Sequence, residues 1–350
     1  MKAILPLLLC CMFSFAVKAA VHVVDNNPNN TTAYSTIQDA VDAAADNDTI
    51  YIQPSSTLYD SPTLTKTLVI IGAGRHPNKQ NHNTSRMVNL VFGLESSGSS
   101  ILGLVITNIV SGEGAGIDNI TITHCRIKMN LTIWGNNYYI ANNVISQQFN
   151  TSIAAINVQN SGGSYSNIII ENNIIASWIS SLEGSSNVLR NNLFLSNSSY
   201  SNVFSNGVNN ISSNIIIENN IFYGSSPEYC SACTFNNNIT FQTTQDILPY
   251  GSSTGVDNLV WFEIGFVNVP VPGLTVMNNL YTDRDFHLDT DAPGLTGGTD
   301  GNEIGLFGGS TLFSMDGEPP IPVVREFILE NSSIPIDGVL QISVSSSAPQ

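Results

Sequence analysis

The octet N-I-I-I-E-N-N-I fills residues 167–174 and recurs unchanged at 214–221, 47 positions later. An internal repeat constrains the fold before anything else does, because it records either a backbone shape used twice or a site used twice. The adjacent Asn pair marks related segments: NITITHCRI (119–127), NYYIANNVI (137–145), NIIIENNII (167–175), SNVLRNNLF (186–194), NIIIENNIF (214–222) and GLTVMNNLY (273–281). Weaker matches, FNNNI (235–239) and GVDNLV (255–260), fill the gap before the last. The first marker position then falls at His124, Asn142, Asn172, Asn191, Asn219, Asn236, Asp257 and Asn278, at intervals of 17 to 30 residues.

Each segment alternates apolar with other residues, turns at Asn-Asn and resumes with an apolar residue. Alternation rich in β-branched side chains predicts a strand. Asn tolerates the left-handed backbone region, so a pair between two strands predicts a sharp bend. Strand, bend and strand at this spacing describe one coil of a solenoid, with inserts looping out of the longer units. TIYIQ (49–53), TLVIIGAG (67–74), VNLVFG (88–93) and GLVITN (103–108) predict earlier coils. Ahead of them YSTIQDAVDAA (34–44) predicts a helix, with Ser35 and Gln38 as a capping box and Ile37, Ala40, Val41 and Ala44 as one apolar face. Such a helix would close the open end of the solenoid.

These segments, with the closing DAPGLTGGTDGNEIGLFGG (291–309), resemble the right-handed parallel β-helix proteins, the pectin-lyase-like group, over about residues 33 to 309. The resemblance implies an all-β, right-handed parallel β-helix solenoid over 20–309, with an N-terminal amphipathic capping helix at about 35–45. Residues 310–350, through Glu318-Pro319-Pro320-Ile321-Pro322, predict a linker and a short C-terminal β extension. For ligand class the resemblance implies extracellular polysaccharide.

Residues 1–19 predict a secretory signal peptide: Lys2, an apolar run from Ile4 to Val17, and Val17-Lys18-Ala19 before a mature start at Ala20. The chain is therefore expected to be exported, to the extracellular space, the cell surface or a periplasm. That run is short for a bilayer span, so no membrane insertion is expected. Losing Lys2 and Lys18 takes the formal charge from −16 to −18. Such a field argues against nucleic acid, which needs a basic surface. Cys230 and Cys233 are a candidate local disulfide in an oxidising compartment. One C-x-x-C without a partner pair does not predict zinc. A monomer is expected.

Stacked coils place equivalent residues about 4.8 Å apart. The first Asn column is expected to point inward as a ladder of hydrogen-bonded amides, with His124 a satisfied member of it. The column before each pair reads Thr123, Ala141, Glu171, Arg190 and Glu218, and is expected on a solvent-facing strand. Arg190 would sit between Glu171 and Glu218, as an exposed ion-pair ladder or as a sugar-binding or catalytic trio. Two carboxylates two coils apart stand about 9.6 Å from each other, near the upper range for inverting glycosidases. A cation between them lowers both pKa values, the wrong direction for a general acid.

The polygalacturonase motifs of this fold are Asn-Thr-Asp, Asp-Asp, Gly-His-Gly and Arg-Ile-Lys. Only Arg126-Ile127-Lys128 is present, and without an acidic pair it is read as coincidence. The Gly-Asp-x-Asp of pectin methylesterases and the Asp-Pro-His of alginate epimerases are absent. No catalytic residue is assigned; an enzyme of this kind would be a polysaccharide lyase or glycoside hydrolase. Asp283, Asp285, Asp289, Asp291, Asp300 and Glu303 could supply oxygen ligands to Ca²⁺, although their spacing fits a solvated acidic turn better. Trp134, Tyr138, Tyr139 and Trp178 are candidate sugar-stacking platforms. Polysaccharide binding along the solenoid, centred on Glu171, Arg190, Glu218, Trp134 and Tyr138, is the leading expectation. A non-enzymatic surface, matrix or adhesion rod is the alternative.

Overall fold

The structure is a computed structural model. It describes residues 19–75, 83–111, 116–145, 154–159, 164–195, 201–204, 212–243, 247–269, 284–311, 313–331, 333 and 336–347. The chain winds as a parallel β-helix. One sheet stacks eleven parallel strands in order of sequence, from Val21–Val24 through Tyr139–Ala141, Ile169–Glu171, Asn187–Arg190 and Ile215–Glu218 to Thr254–Val256. A second sheet stacks the strands that follow each bend, among them Arg86–Phe92, Val105–Ser111, Arg126–Ile133, Ile174–Ile175, Leu193–Leu195 and Ile221–Tyr223. The long strand Arg126–Ile133 turns onto a third face, where Leu131–Ile133 pairs with Ile156–Val158.

The register explains why the octet repeats. Ile170, Leu189 and Ile217 are cross-strand neighbours and fully buried inside the coil, while Ile169, Val188 and Ile216 alternate outward. Both ends of the octet are left-handed corners. Asn167 and Asn172 have φ of 58° and 50°, and Asn214 and Asn219 have 58° and 56°. The first corner builds its own outer amide row, Asn167 donating to Asn137 and Asn137 to Asn119, each at 3.0 Å.

At the second corner the two Asn of each pair divide the work, and the expected inward column is corrected by one residue. The first Asn is the left-handed corner. The second Asn forms the inner ladder: Asn143, Asn173, Asn192, Asn220 and Asn238 are all fully buried. Each Oδ1 accepts the backbone N–H of the equivalent residue one coil earlier, from Cys125 to Asn143 through Asn192 to Asn220 and Asn220 to Asn238, at 2.8–3.0 Å. Each Nδ2 donates to a carbonyl of that earlier coil, as Asn192 does to Ile170 and Asn220 to Leu189. One amide thus satisfies two backbone groups stranded by the bend. Cys125 takes the Asn position in its coil, and burial pushes its thiol up to about 12, so it is an inert core residue. In FNNNI the corner is Asn237 and the ladder residue Asn238, so Asn236 lies one place before the corner. Asn278 falls outside the described residues.

The helix runs Ile37–Ala43, with Ile37, Ala40 and Val41 buried, and packs on the first strands. Its N-cap is Thr36 rather than Ser35: the hydroxyl accepts the Asp39 N–H. Asp60 takes the N–H groups of Ile37 and Gln38 at 2.7 and 2.9 Å. A carboxylate at the positive end of a helix outcompetes the Gln38 amide. Nearby, buried Asp48 accepts from the backbone N–H groups of Ala45 and Ala20 and lies 3.0 Å from His22 Nε2. These hydrogen bonds, Ala45 foremost, hold its carboxyl down at about 2. A carboxylate depressed in the folded state stabilises above its ordinary value near ~3.9, and that stabilisation is lost as pH falls toward 2. Asp48→Asn is therefore expected to be less stable than wild type at pH 7, with the gap closing between pH 4 and 2 in urea melts. A gap independent of pH would contradict the assignment.

The segment after the last described coils folds back along the bend. Asn237 donates to the Gly297 carbonyl, Asn219 exchanges two bonds with Thr299, and Asn172 donates to the carbonyls of Leu306 and Gly308. Arg75 reaches the Ser314 carbonyl, and Gly103 lies against Pro319. Residues 297–311 and 313–319 therefore form a strap running from late coils toward early ones. It covers the outer face of the second sheet, where Ile174, Leu193, Ile221 and Ile239 join Phe286, Leu288, Ile304, Leu306 and Phe313 in a second buried cluster. Gly305, at φ 101°, passes so close to Ile221 that a Cβ would lie 2.5 Å from its Cδ1. Beyond the strap, Val323–Leu329 and Ile342–Ser347 pair as an antiparallel hairpin. No helix among the described residues is long and apolar enough to cross a membrane.

Candidate functional site

The register places Glu171, Arg190 and Glu218 side by side on three successive strands of the first sheet. The expected column exists, but its surroundings differ from an open strand. Glu171 is only 5 % exposed, because Tyr139 and the strap close over it. Its Oε1 accepts the Tyr139 hydroxyl and its Oε2 lies 2.5 Å from Arg190 Nε. Burial first, and then the Glu171 carboxylate, raise the Tyr139 phenol to about 12, so it stays a hydrogen-bond donor at neutral pH. With both oxygens of Glu171 engaged, this carboxylate orients Arg190 at the edge of a cavity that it helps to line.

Arg190 is half-exposed, and neither it nor Glu218 makes a mutual ion pair; the three-residue ladder is a pair plus a separate carboxylate among the described residues. Glu218 faces a cavity of about 240 Å³ between the column and the strap. Arg190, Asn191, Thr299, Asp300 and Ser310 line it as well. Burial raises the Asp300 carboxyl, but hydrogen bonds from Asn302 and from the Gly309 backbone outweigh it and hold the group below the usual carboxylate range. The buried Asn191 Oδ1 has no partner among the described residues. The cavity is thus lined by amide side chains, the three carboxylates of Glu171, Glu218 and Asp300, two hydroxyls and a guanidinium, a set suited to sugar hydroxyls.

The aromatic candidates do not converge. Tyr138 is 1 % exposed within the core and offers no face to a ligand. Trp134 and Trp178 are half-buried on the third face. Trp134 follows Ile133, whereas Trp178 precedes Ile179, which aligns through Ile156 with Leu131. That offset of four residues is about 13 Å along the strand. His124 sits at a left-handed corner, not inside a ladder, and its Nδ1 has no partner among the described residues. Burial, reinforced by Arg75, lowers it to about 4, so it is neutral at pH 7. Cys230 and Cys233 are disulfide-bonded, with Cα atoms 6.3 Å apart.

In the acidic stretch several side chains are taken up by hydrogen bonds within the protein. Asp285 bonds His287, Asp289 bonds Thr290, and Glu303 accepts the Leu288 N–H. No group of three His, Cys, Asp or Glu among the described residues is placed to hold a metal ion; Asp283 lies outside them. The strap, Tyr139 as a partner of Glu171, and Thr299 with Ser310 escaped the sequence reading, because each reaches the site from a distant segment. Neither a family model nor a curated protein matches the chain.

Proposed function

We propose that the chain is an exported, pectin-lyase-like β-helix protein that binds extracellular polysaccharide and does not cleave it. The polar cavity beside Glu218 carries this reading. Its volume, below the roughly 300–1,000 Å³ of drug-sized sites, suits one sugar unit at an end or branch of a polymer. Polar groups fixed by the ladder and the strap are preorganised for hydroxyls. The engagement of both Glu171 oxygens supports binding over hydrolysis. Export and a mature start at Ala20 belong to the same proposal; residues 1–18 of the leader fall outside the described set.

A glycan array on the mature chain tests it. A defined set of neutral glycans is expected to bind, with Glu218→Gln and Arg190→Met each weakening binding about tenfold, the loss of one charge-assisted hydrogen bond. Binding unchanged in both variants would move the site elsewhere. The second reading, a rigid surface or matrix rod, is favoured by the uninterrupted ladder and by apolar residues exposed at and beside the C-terminal hairpin, such as Leu329, Ile336 and Val344. No binding across plant, algal and host glycans would select it.

A further inference from the structure

One outward column of the second sheet reads Arg86, Val105, Arg126, Val144, Ile174, Leu193, Ile221 and Ile239 from early coils to late. From Val144 onward it is apolar and lies in the cluster under the strap. Before Val144 two arginines replace the aliphatic side chains, and Lys128 lies two residues beyond Arg126 on the same face. Together with Arg75 they line a cavity of about 280 Å³. Four of the chain's eleven Lys and Arg residues thus meet in one place, in a protein of formal charge −16. A solvated surface would disperse them.

The cations are held rather than adrift. Arg86 is fixed by a hydrogen bond to the Ser56 carbonyl. Arg75 is fully buried and donates to the Asn142 carbonyl at 2.6 Å. Lys128 is half-buried and makes no ion pair with a described residue. Burial, and then the guanidinium groups of Arg126 and Arg86, lower its pKa. Holding the Lys128 ammonium beside these guanidinium groups in a partly desolvated cleft, with no ion pair of its own among the described residues, is unfavourable, and an anion bound there offsets that cost. Thr84, Ser55 and Asn83 add neutral groups to the lining.

We infer that this cleft is a binding site for a tetrahedral oxyanion, the sulfate or phosphate group of a free ion or of a sugar ester. Three cations at the mouth match a dianion better than a single carboxylate. The site is separate from the cavity beside Glu218 and stands independently of the neutral-glycan reading.

The test is calorimetric titration of the full mature chain with sodium phosphate, sodium sulfate and sodium acetate at fixed ionic strength. Saturable binding of phosphate or sulfate is expected, with acetate at least tenfold weaker. Lys128→Gln and Arg86→Gln should each weaken it about tenfold, while Lys128→Arg retains it. Circular dichroism and the ligand-free melting midpoint establish that the variants fold. A phosphorylated monosaccharide and a sulfated oligosaccharide distinguish the sources: tighter binding than the inorganic ion assigns the group to a sugar, and equal binding assigns the free ion. No saturable heat, acetate binding as tightly as phosphate, or full binding by folded Lys128→Gln and Arg86→Gln would overturn the inference.

Discussion

Asn192→Ala is expected to destabilise the protein by about 3 kcal/mol or more, whereas Asn191→Gly, its neighbour in the same pair, should cost under about 1 kcal/mol. The asymmetry follows from what each amide satisfies. Asn192 accepts from the backbone and the side-chain amide of Asn173, and donates to the Ile170 carbonyl and to Asn220. Its removal strands two buried backbone groups on the preceding coil, each worth roughly 1–3 kcal/mol when left unsatisfied, and opens a void beside them. Asn191 supplies a φ of 54°, which glycine adopts without strain, and its Oδ1 has no partner to lose. Urea denaturation of both variants measures the difference. Equal losses would mean that the two positions share one role.

Arg75→Met should produce a second large effect, a loss of about 3 kcal/mol with the damage confined to the strap. Arg75 donates to the Asn142 carbonyl on the corner and to the Ser314 carbonyl on the strap, with its guanidinium 4.8 Å from the centre of the Phe313 ring. Methionine restores bulk and removes those donors and the cation–π contact. Lysine cannot rescue it, because one ammonium does not reproduce a planar fork stacked on a ring. Amide exchange should quicken at Gly305 and Gly308, which lie in the strap, and stay slow at Asn173 and Asn192 inside the coil. A variant as stable as wild type would show that the apolar cluster alone holds the strap.

The coil was legible because its signal is local. Alternating Ile170, Leu189 and Ile217 must face inward, and the Asn pair between short strands marks the bend. The assignment within each pair failed by one residue for a physical reason: tolerance of the left-handed region and the capacity to bridge two backbone groups belong to the same residue type, so composition cannot separate them. The register does, since the corner residue spends its own N–H on the neighbouring strand, as Asn191 does on the Glu218 carbonyl. The Asn opening each octet carried the same signal, standing five residues before the second corner. The burial of Glu171 was not legible from its strand, because its cover comes from the strap, as Asn172 finds Leu306 134 positions away. A trace of that cover was present. Ile174-Ile175, Leu193-Phe194-Leu195 and Ile221-Phe222-Tyr223 are apolar on both faces, the pattern of parallel strands buried on both sides. Arg86 and Arg126 break that pattern, which gives Arg126-Ile127-Lys128 a place in the fold that the motif search did not foresee.

The most direct test of the division of labour in the Asn pair is residue-resolved amide exchange in Asn220→Ala. The Asn192 N–H donates to the Asn220 side chain, whereas the Asn191 N–H donates to the Glu218 backbone. The account predicts that the Asn192 amide loses its protection while the Asn191 amide keeps it. Loss at Asn191 with protection retained at Asn192 would contradict it.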